Sequence, residues 1–323
     1  MRAADHHAVV ALRRATSVVV CGHVRPDGDA MGAVLAMTLA LRDNGIAAVP
    51  TLPHGSHVPT TYSFLPGYGL FVPAHDLEAP QVFVACDCPT LDRLGDAAKL
   101  ARDAETLIVI DHHPDAEEFG HIMIHDSEAA AACQLVWELV KGFEKPATEE
   151  IAQCCYVGLL TDTGRFCYEN TCAPAFHAAA EMVDAGVQPA EVALYVYQSR
   201  SPASLAIEAR AMSRLTITNG GQVAYAWVTD ADFEEMDATP EDAESLSDAI
   251  RVVQGAEVAM MLRQSGGEVR GNLRSKSGFD VSEVASQFHG GGHRAASGFT
   301  FPGTIEQLLP TILPMLPGYG DDA

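Results

Sequence analysis

Residues 106–115 read TLIVIDHHPD, an apolar, largely β-branched run followed at once by an aspartate and two adjacent histidines. Two further apolar runs, SVVVCG at 17–22 and VFVAC at 82–86, have the same character. Short apolar runs separated by helical patterns are typical of buried parallel strands. The sequence therefore predicts an α/β fold with a doubly wound, mainly parallel sheet. Helices are predicted at 30–43, 127–142, 148–160 and 174–186.

Polar side chains follow each of these three runs. Because the carboxyl ends of parallel strands meet at one crevice, we expect these side chains to lie close together. A further aspartate, Asp162, stands where a predicted helix meets Gly164. The candidate set comprises His23, Asp27, Asp29, Asp87, Asp111, His112, His113 and Asp162.

Four aspartates in this set, at 27, 29, 87 and 162, point to metal ions. Carboxylates held together raise one another's pKa and stay ionised beside cations, and two divalent ions would balance these four charges. A mixture of carboxylate and imidazole favours Mn²⁺, Co²⁺ or Fe²⁺ over the all-oxygen ligands typical of Mg²⁺. We therefore expect two divalent ions, with Mn²⁺ ahead of Co²⁺, Fe²⁺ and Mg²⁺. Metal-assisted phosphoester hydrolysis is the reaction class that such a pair supports.

Charge and hydropathy restrict the partners. The 323 residues carry a net charge of −23 with His neutral, which argues against the binding of long nucleic acid through its phosphates. Residues 263–300 hold five basic and three acidic residues, so a small anionic substrate would bind there. Apolar runs are too short for a membrane span or a secretory signal, and we expect a cytoplasmic protein with no membrane partner.

The pattern of elements changes after residue 212. RLTITNGGQVAYAWVT at 214–229 and VAMMLRQSGGEVRGNLRS at 258–275 each read as a β-hairpin closed at glycines. Hairpins with a few helices indicate a separate α+β domain. We predict a first domain at 1–189, a linker helix at 190–212 and a smaller second domain at 213–323.

Five segments resemble the motifs of the DHH phosphoesterase family. Four stand in the family's order and approximate spacing: HVRPDGDAMG (23–32), VACDCPTLDRLG (84–95), IDHHPD (110–115) and LLTDTGRFCYENT (159–171). The fifth, GNLRSKSGFDVSEVASQFHGGGHRAASG (271–298), is similar to the DHH-associated domain. The two-domain length is most similar to the bacterial nanoRNase/pAp phosphatase group. The resemblance implies an active site in the cleft between the two domains.

The resemblance also implies two overlapping sets of metal ligands that share Asp87 as a bridge. They are His23, Asp27 and Asp87 for one ion, and Asp29, Asp87, His112 and Asp162 for the other. His113 would face the scissile phosphate, and Asp111 would orient an imidazole. Arg165 and Asn170 would line the site.

The C-terminal motif is expected to hold the substrate. Consecutive glycines allow backbone N–H groups to approach a phosphate closely, and basic side chains add charge-assisted hydrogen bonds. The predicted substrate clamp comprises Arg274, Ser275, Lys276, Gly290, Gly291, Gly292 and His293.

The resemblance implies a two-metal phosphoesterase that hydrolyses short oligoribonucleotides, including linear dinucleotides such as pApA, to mononucleotides. It also implies dephosphorylation of 3′-phosphoadenosine 5′-phosphate (pAp) to AMP. One alternative is an enzyme acting on cyclic dinucleotides, polyphosphate or pyrophosphate. Another is an inactive nucleotide- or RNA-binding module, which would require a broken ligand set, whereas every ligand position is filled. The sequence leaves the oligomeric state open, a homodimer included.

Overall fold

The computed structural model describes residues 3–54, 58–276 and 278–320. The chain packs as two units, Met1–Ser199 (the N-terminal unit) and Arg200–Ala323 (the C-terminal unit). The strands described in the N-terminal unit are β1 Val18–Cys21, β2 Ala48–Thr51, β3 Val82–Cys86, β4 Thr106–Asp111 and β5 Ile122–His125. Its helices are α1 Ala3–Arg14, α2 Gly28–Asp43, α3 Ala98–Asp103, α4 Ala132–Val140, α5 Glu149–Asp162, α6 Ala173–Asp184 and α7 Pro189–Tyr197.

The sheet of the N-terminal unit is parallel throughout, with strand order β2-β1-β3-β4-β5. The direction of winding reverses between β1 and β3, so the sheet is doubly wound, and sheets of this kind bind ligands at the carboxyl ends of such strands. The predicted α/β class is thus confirmed. The three apolar runs of the sequence are β1, β3 and β4, the central strands of the sheet.

Both faces of the central strands are buried, which explains why the runs lack alternation. In β3, Val82, Val84 and Cys86 face one apolar core, which also contains residues of α2, α4 and α5. Phe83 and Ala85 face a second core with residues of α3. Covered on both sides, the sheet can present polar groups only at its strand ends.

Helices α2 and α5 approach each other closely at Gly32, where an added Cβ would lie 2.3 Å from the carbonyl oxygen of Cys154. Alanine normally stabilises a helix interior relative to glycine by about 1 kcal/mol. We expect Gly32→Ala to destabilise the protein instead, by about 1–3 kcal/mol, because backbone must move to admit the methyl group. Urea unfolding measures this change. Gly69→Ala is the control, since no atom lies within 4 Å of its added Cβ; equal stability of both variants would contradict the close approach.

The C-terminal unit is built on a six-stranded mixed sheet. Its described strands are β6 Thr216–Thr218, β7 Val223–Thr229, β8 Val258–Ser265, β9 Glu268–Ser275, β10 Gly291–His293 and β11 Ala296–Pro302. Its described helices are α8 Pro202–Ser213, α9 Asp230–Glu235, α10 Leu246–Arg251, α11 Val281–Ser286 and α12 Ile305–Ile312. The order is β10-β11-β9-β8-β7-β6, with β7 and β8 parallel and the other pairs antiparallel. The two predicted hairpins are β6–β7 and β8–β9, and the α+β class is confirmed.

The segment predicted as one helix at 190–212 contains two helices, α7 and α8. Proline is favoured at the first position of a helix, where no N–H is needed, and Pro189 and Pro202 start these helices. The Ser201 hydroxyl accepts the N–H of Ser204, which caps α8. Among the described residues, no helix combines the length and apolar character that crossing a membrane requires.

Candidate metal centre

The structure brings together the eight candidate residues of the N-terminal unit. His23, Asp87 and His112 lie just beyond β1, β3 and β4, which are neighbours in the sheet. Asp27 is the N-cap of α2, where its Oδ1 accepts the N–H groups of Asp29 and Ala30 at 3.1 Å. Because the strand ends and the helix ends meet at one edge, residues distant in sequence become neighbours.

A first group of ligating atoms surrounds His23. Its Nε2 lies 3.8 Å from Asp27 Oδ1 and 3.3 Å from Asp87 Oδ2. The ligating atoms of these three residues all lie within 4.8 Å of one another. The group therefore has the composition and spacing of a metal site.

A second group surrounds His112. Its Nε2 lies 3.8 Å from Asp29 Oδ2 and 3.6 Å from Asp162 Oδ2, and these three residues also fall within the 4.8 Å limit. Asp87 Oδ1 lies 3.6 Å from the same nitrogen. The two oxygens of Asp87 thus face the two groups, as expected of a bridging carboxylate.

Burial and charge act against each other in this cluster. Burial raises the pKa of Asp29 to about 7, with Asp87 adding to the effect, and raises the pKa of Asp162 well above its usual value. Burial lowers the pKa of His23, but the Asp27 and Asp87 carboxylates outweigh it and raise that pKa to about 10. The cluster contains more carboxylates than imidazoles. This excess of negative charge favours the binding of cations.

Asp87 has two features that fit a metal ligand. Its Oδ1 is buried and has no hydrogen-bond partner among the described residues, although a buried acceptor normally has one. Its backbone φ is +56°, a conformation that costs a non-glycine residue roughly 1 kcal/mol or more. A cation would satisfy the unpaired oxygen, so the residues present fit divalent ions.

Asp111 and His113 form a pair beside the ligand groups. Asp111 is fully buried, and its carboxylate accepts the His113 backbone N–H at 2.9 Å and lies 3.0 Å from His113 Nδ1. Asp111 thus contacts His113 at both its backbone N–H and its ring. Burial lowers the pKa of His113, but the carboxylates of Asp111 and Asp87 outweigh burial and raise that pKa. This placement suits the orienting role predicted for Asp111.

Comparisons with known proteins match both units. Residues 17–159 match the DHH family, N-terminal domain, and residues 220–316 match the DHHA1 domain. The chain is 30% identical, over 92% of its length and 88% of the relative's, to the bifunctional oligoribonuclease and PAP phosphatase NrnA of Thermus thermophilus.

The chain belongs to the NrnA-type DHH family. The NrnA protein of Bacillus subtilis is 25% identical over 87% of this chain and 88% of its own. An exopolyphosphatase-related protein from Bacteroides fragilis has the same fold, with a TM-score of 0.88 at 23% identity over 98% of this chain and 95% of its own. The DHH resemblance of the sequence is thus confirmed.

The side chains of the predicted clamp residues Arg274, Ser275 and Lys276 all make hydrogen bonds within the DHHA1 domain. Arg274 is half-buried, and its Nη1 donates to its neighbour's carbonyl, Leu273 O. The Lys276 ammonium donates to the Val253 carbonyl, and the buried Ser275 hydroxyl donates to Glu257 Oε1 at 2.9 Å. Ser275 therefore serves the packing of this domain in the structure.

Two of the three motif glycines, Gly291 and Gly292, lie in strand β10 of the DHHA1 domain. Gly291 pairs with Gly298, and Gly292 pairs with Ser297. The Gly290 N–H donates to Ala285 O at 2.9 Å, and an added Cβ there would lie 2.1 Å from Gly298 O. Close packing thus accounts for Gly290. The side chain of His293 lies outside the described residues.

Arg165 and Asn170 lie beyond Asp162 in the DHH domain. The exposed Arg165 guanidinium stacks 4.6 Å above the ring of Tyr197. Asn170 Nδ2 donates to Asp162 Oδ2 at 3.2 Å, so this amide contacts a candidate ligand directly.

Sequence reasoning missed two side chains of this DHH domain. Arg93 Nη2 lies 3.0 Å from His23 Nδ1, and His125 Nε2 lies 2.7 Å from the backbone oxygen of His113. The segment HIMIHD at 121–126 ends in a histidine and an aspartate, and polar residues also follow the other strands. Reading it as a strand would have found His125.

Proposed function

We propose that this chain hydrolyses short oligoribonucleotides, including linear dinucleotides such as pApA, to mononucleotides and dephosphorylates pAp to AMP, with two Mn²⁺ ions. The observation that carries the proposal is the pair of His–Asp groups that share Asp87 at the end of the parallel sheet. Similarity to bifunctional oligoribonucleases and PAP phosphatases over most of the chain supports the substrate class.

Two sets of residues would hold the ions. They are His23, Asp27 and Asp87 on one side, and Asp29, Asp87, His112 and Asp162 on the other. When bound, such ions lower the pKa of water and stabilise the negative charge that develops at phosphorus. Carboxylates supply most of the charge, and the imidazoles favour Mn²⁺ over Mg²⁺.

Asp111 and His113 would handle the proton. Asp111 Oδ1 lies 3.0 Å from His113 Nδ1, and because an ionised carboxylate only accepts hydrogen bonds, Nδ1 would carry the hydrogen and the ring would be held in one orientation. His113 Nε2 is then the atom that would donate a proton or hydrogen bond to the phosphate. Arg165 and the clamp residues Arg274, Lys276 and His293 would supply positive charge to the rest of the nucleotide.

The proposed activity is tested by incubating the purified protein and Mn²⁺ with 5′-labelled pApA and, separately, with pAp. We expect release of AMP from the dinucleotide and of inorganic phosphate from pAp, both lost when EDTA removes the metal. Polyphosphate, pyrophosphate and a cyclic dinucleotide, tested in parallel, should turn over much more slowly.

Failure with both pApA and pAp would overturn the proposal. Turnover of polyphosphate or a cyclic dinucleotide alone would support the alternative enzymes. Tight nucleotide binding without bound metal or turnover would instead support the inactive binding module, although the filled and clustered ligand positions favour an enzyme.

A further inference from the structure

Residues 129–133, with the sequence AAAAC, form a buried segment that leads into α4, here called the alanine segment. All five residues are at most 5% exposed. The four alanines can make polar contacts only through their backbone, and the Cys133 thiol adds a contact to Asp29 O at 3.4 Å. Those backbone groups lie against the candidate ligands.

The alanine segment binds both oxygens of Asp29. The Ala132 N–H donates to Asp29 Oδ2 at 2.6 Å, and the Cys133 N–H donates to Asp29 Oδ1 at 2.9 Å. The first N–H groups of a helix need acceptors, and Ala131 at the N-cap of α4 offers no side-chain oxygen. A carboxylate from α2 therefore caps α4, and this contact fixes the orientation of Asp29.

The same segment contacts His112 directly and Asp162 through Asn170. His112 Nδ1 lies 3.2 Å from Ala129 O, which directs Nε2 towards the carboxylates. Asn170 Nδ2 donates to Ala130 O at 2.9 Å and to Asp162 Oδ2 at 3.2 Å, so one amide links the segment to Asp162. The positions of Asp29, His112 and Asp162 therefore all depend on one short stretch of backbone.

We propose that the alanine segment and Asn170 are positioning elements that set the spacing of the Asp29–His112–Asp162 group for a divalent ion. His23 of the other group is oriented by different atoms, Val24 O at 2.8 Å and Arg93. Loss of a positioning contact therefore weakens one ion site selectively. The inference rests on the metal centre of the proposed function.

Two variants remove the contacts separately. Asn170→Ala breaks the link to Asp162, with the exposed neighbour Glu169→Ala as its control. Ala132→Pro removes one N–H from Asp29 at the first position of α4, where proline suits a helix and the preceding residue is already extended. Its control is Glu149→Pro, the same change at the first position of α5.

The measurement is calorimetric titration of metal-free protein with Mn²⁺, together with the melting temperature of the metal-free form. Wild type should show two binding events. Each variant should weaken one event by at least about tenfold and leave the other within about threefold, as expected for outer contacts of a metal site. The melting temperature of Asn170→Ala should match that of Glu169→Ala, whereas Ala132→Pro should melt below Glu149→Pro because Ala132 is fully buried.

Two results would overturn the inference: both events unchanged in both variants, or both events weakened equally together with a lower melting temperature. A wild-type protein that binds no Mn²⁺ would overturn the proposed function itself. The two failures are therefore distinguishable, and neither measurement depends on turnover.

Discussion

Replacing Asp87 by asparagine is expected to lower the turnover of pApA at least about a thousandfold. The carboxylate faces both ligand groups, with Oδ2 at 3.3 Å from His23 and Oδ1 at 3.6 Å from His112. Metal ions contribute several kcal/mol of transition-state stabilisation, and a loss of about 4 kcal/mol corresponds to about three powers of ten in rate. The initial rate of AMP release at saturating substrate measures the effect.

The control for this variant is Asp92→Asn, an exposed carboxylate in the 3₁₀ helix Leu91–Ala97 that follows β3. It should keep turnover close to that of the wild type. Metal content after dialysis should fall in the Asp87 variant and not in the control. An Asp87→Asn protein with wild-type turnover would remove the basis for a bridging ligand.

The largest expected loss of stability follows Asp232→Asn in the C-terminal unit. Asp232 is 2% exposed, and its oxygens accept two hydrogen bonds from Arg214 at 2.6 and 2.8 Å, with Arg210 as a further partner. Breaking a buried ion pair costs about 3–5 kcal/mol. The arginine side chains are 25% exposed. We therefore expect a loss near the lower limit, about 3 kcal/mol, measured by urea unfolding.

The stability difference between the wild type and Asp232→Asn should decrease at low pH. Burial raises the pKa of Asp232, but hydrogen bonds from Arg214 and Thr229 outweigh it and hold the pKa well below its usual value. The stabilisation is present above the unfolded-state pKa of about 3.9 and is lost as pH falls from there towards the folded-state pKa. The gap between wild type and variant should therefore narrow below about pH 4.

The control for this position is Glu235→Gln, which removes the exposed partner of Arg210. Surface ion pairs contribute less than about 1 kcal/mol, so this variant should unfold close to the wild type. Equal losses for both variants would show that burial of Asp232 has no special effect.

The sequence predicts the central strands of the sheet but not its edges. Strands β1, β3 and β4 are buried on both faces, which leaves continuous apolar runs. Strands β2 and β5 lie at the two edges, where burial is incomplete; β2 contains Pro50, and β5 is half-exposed. Prolines and shorter apolar patterns are tolerated at edges, so these strands carry a weaker signal.

The start of α4 could not be predicted from the sequence either. Asp126 and Ser127 predict a helix from 127, but α4 begins at Ala132. Its first N–H groups are capped by Asp29, which lies about a hundred residues earlier in the chain. A cap supplied by a distant residue leaves no local pattern, and tertiary contacts override the local one.

The part of the candidate site that depends only on sheet topology could be predicted from the sequence. Parallel strands align their carboxyl ends, so His23, Asp87 and His112 could be grouped from sequence. The backbone groups of the alanine segment and the side chain of Arg93 could not be grouped with them, because their contacts depend on packing. Likewise, consecutive glycines give no strand signal, whereas pairing with β11 makes Gly291 and Gly292 part of a strand.

The close approach of α2 and α5 has a consequence for the choice of ion. Asp29 lies in the first turn of α2, one turn before Gly32, and Asp162 is the last residue of α5. The close approach therefore fixes the backbones that carry Asp29 and Asp162, while the alanine segment and Asn170 orient their carboxylates. We therefore expect substitutions in the α2–α5 contact, which touch no ligand, to change the preference of the site among ions of different radius.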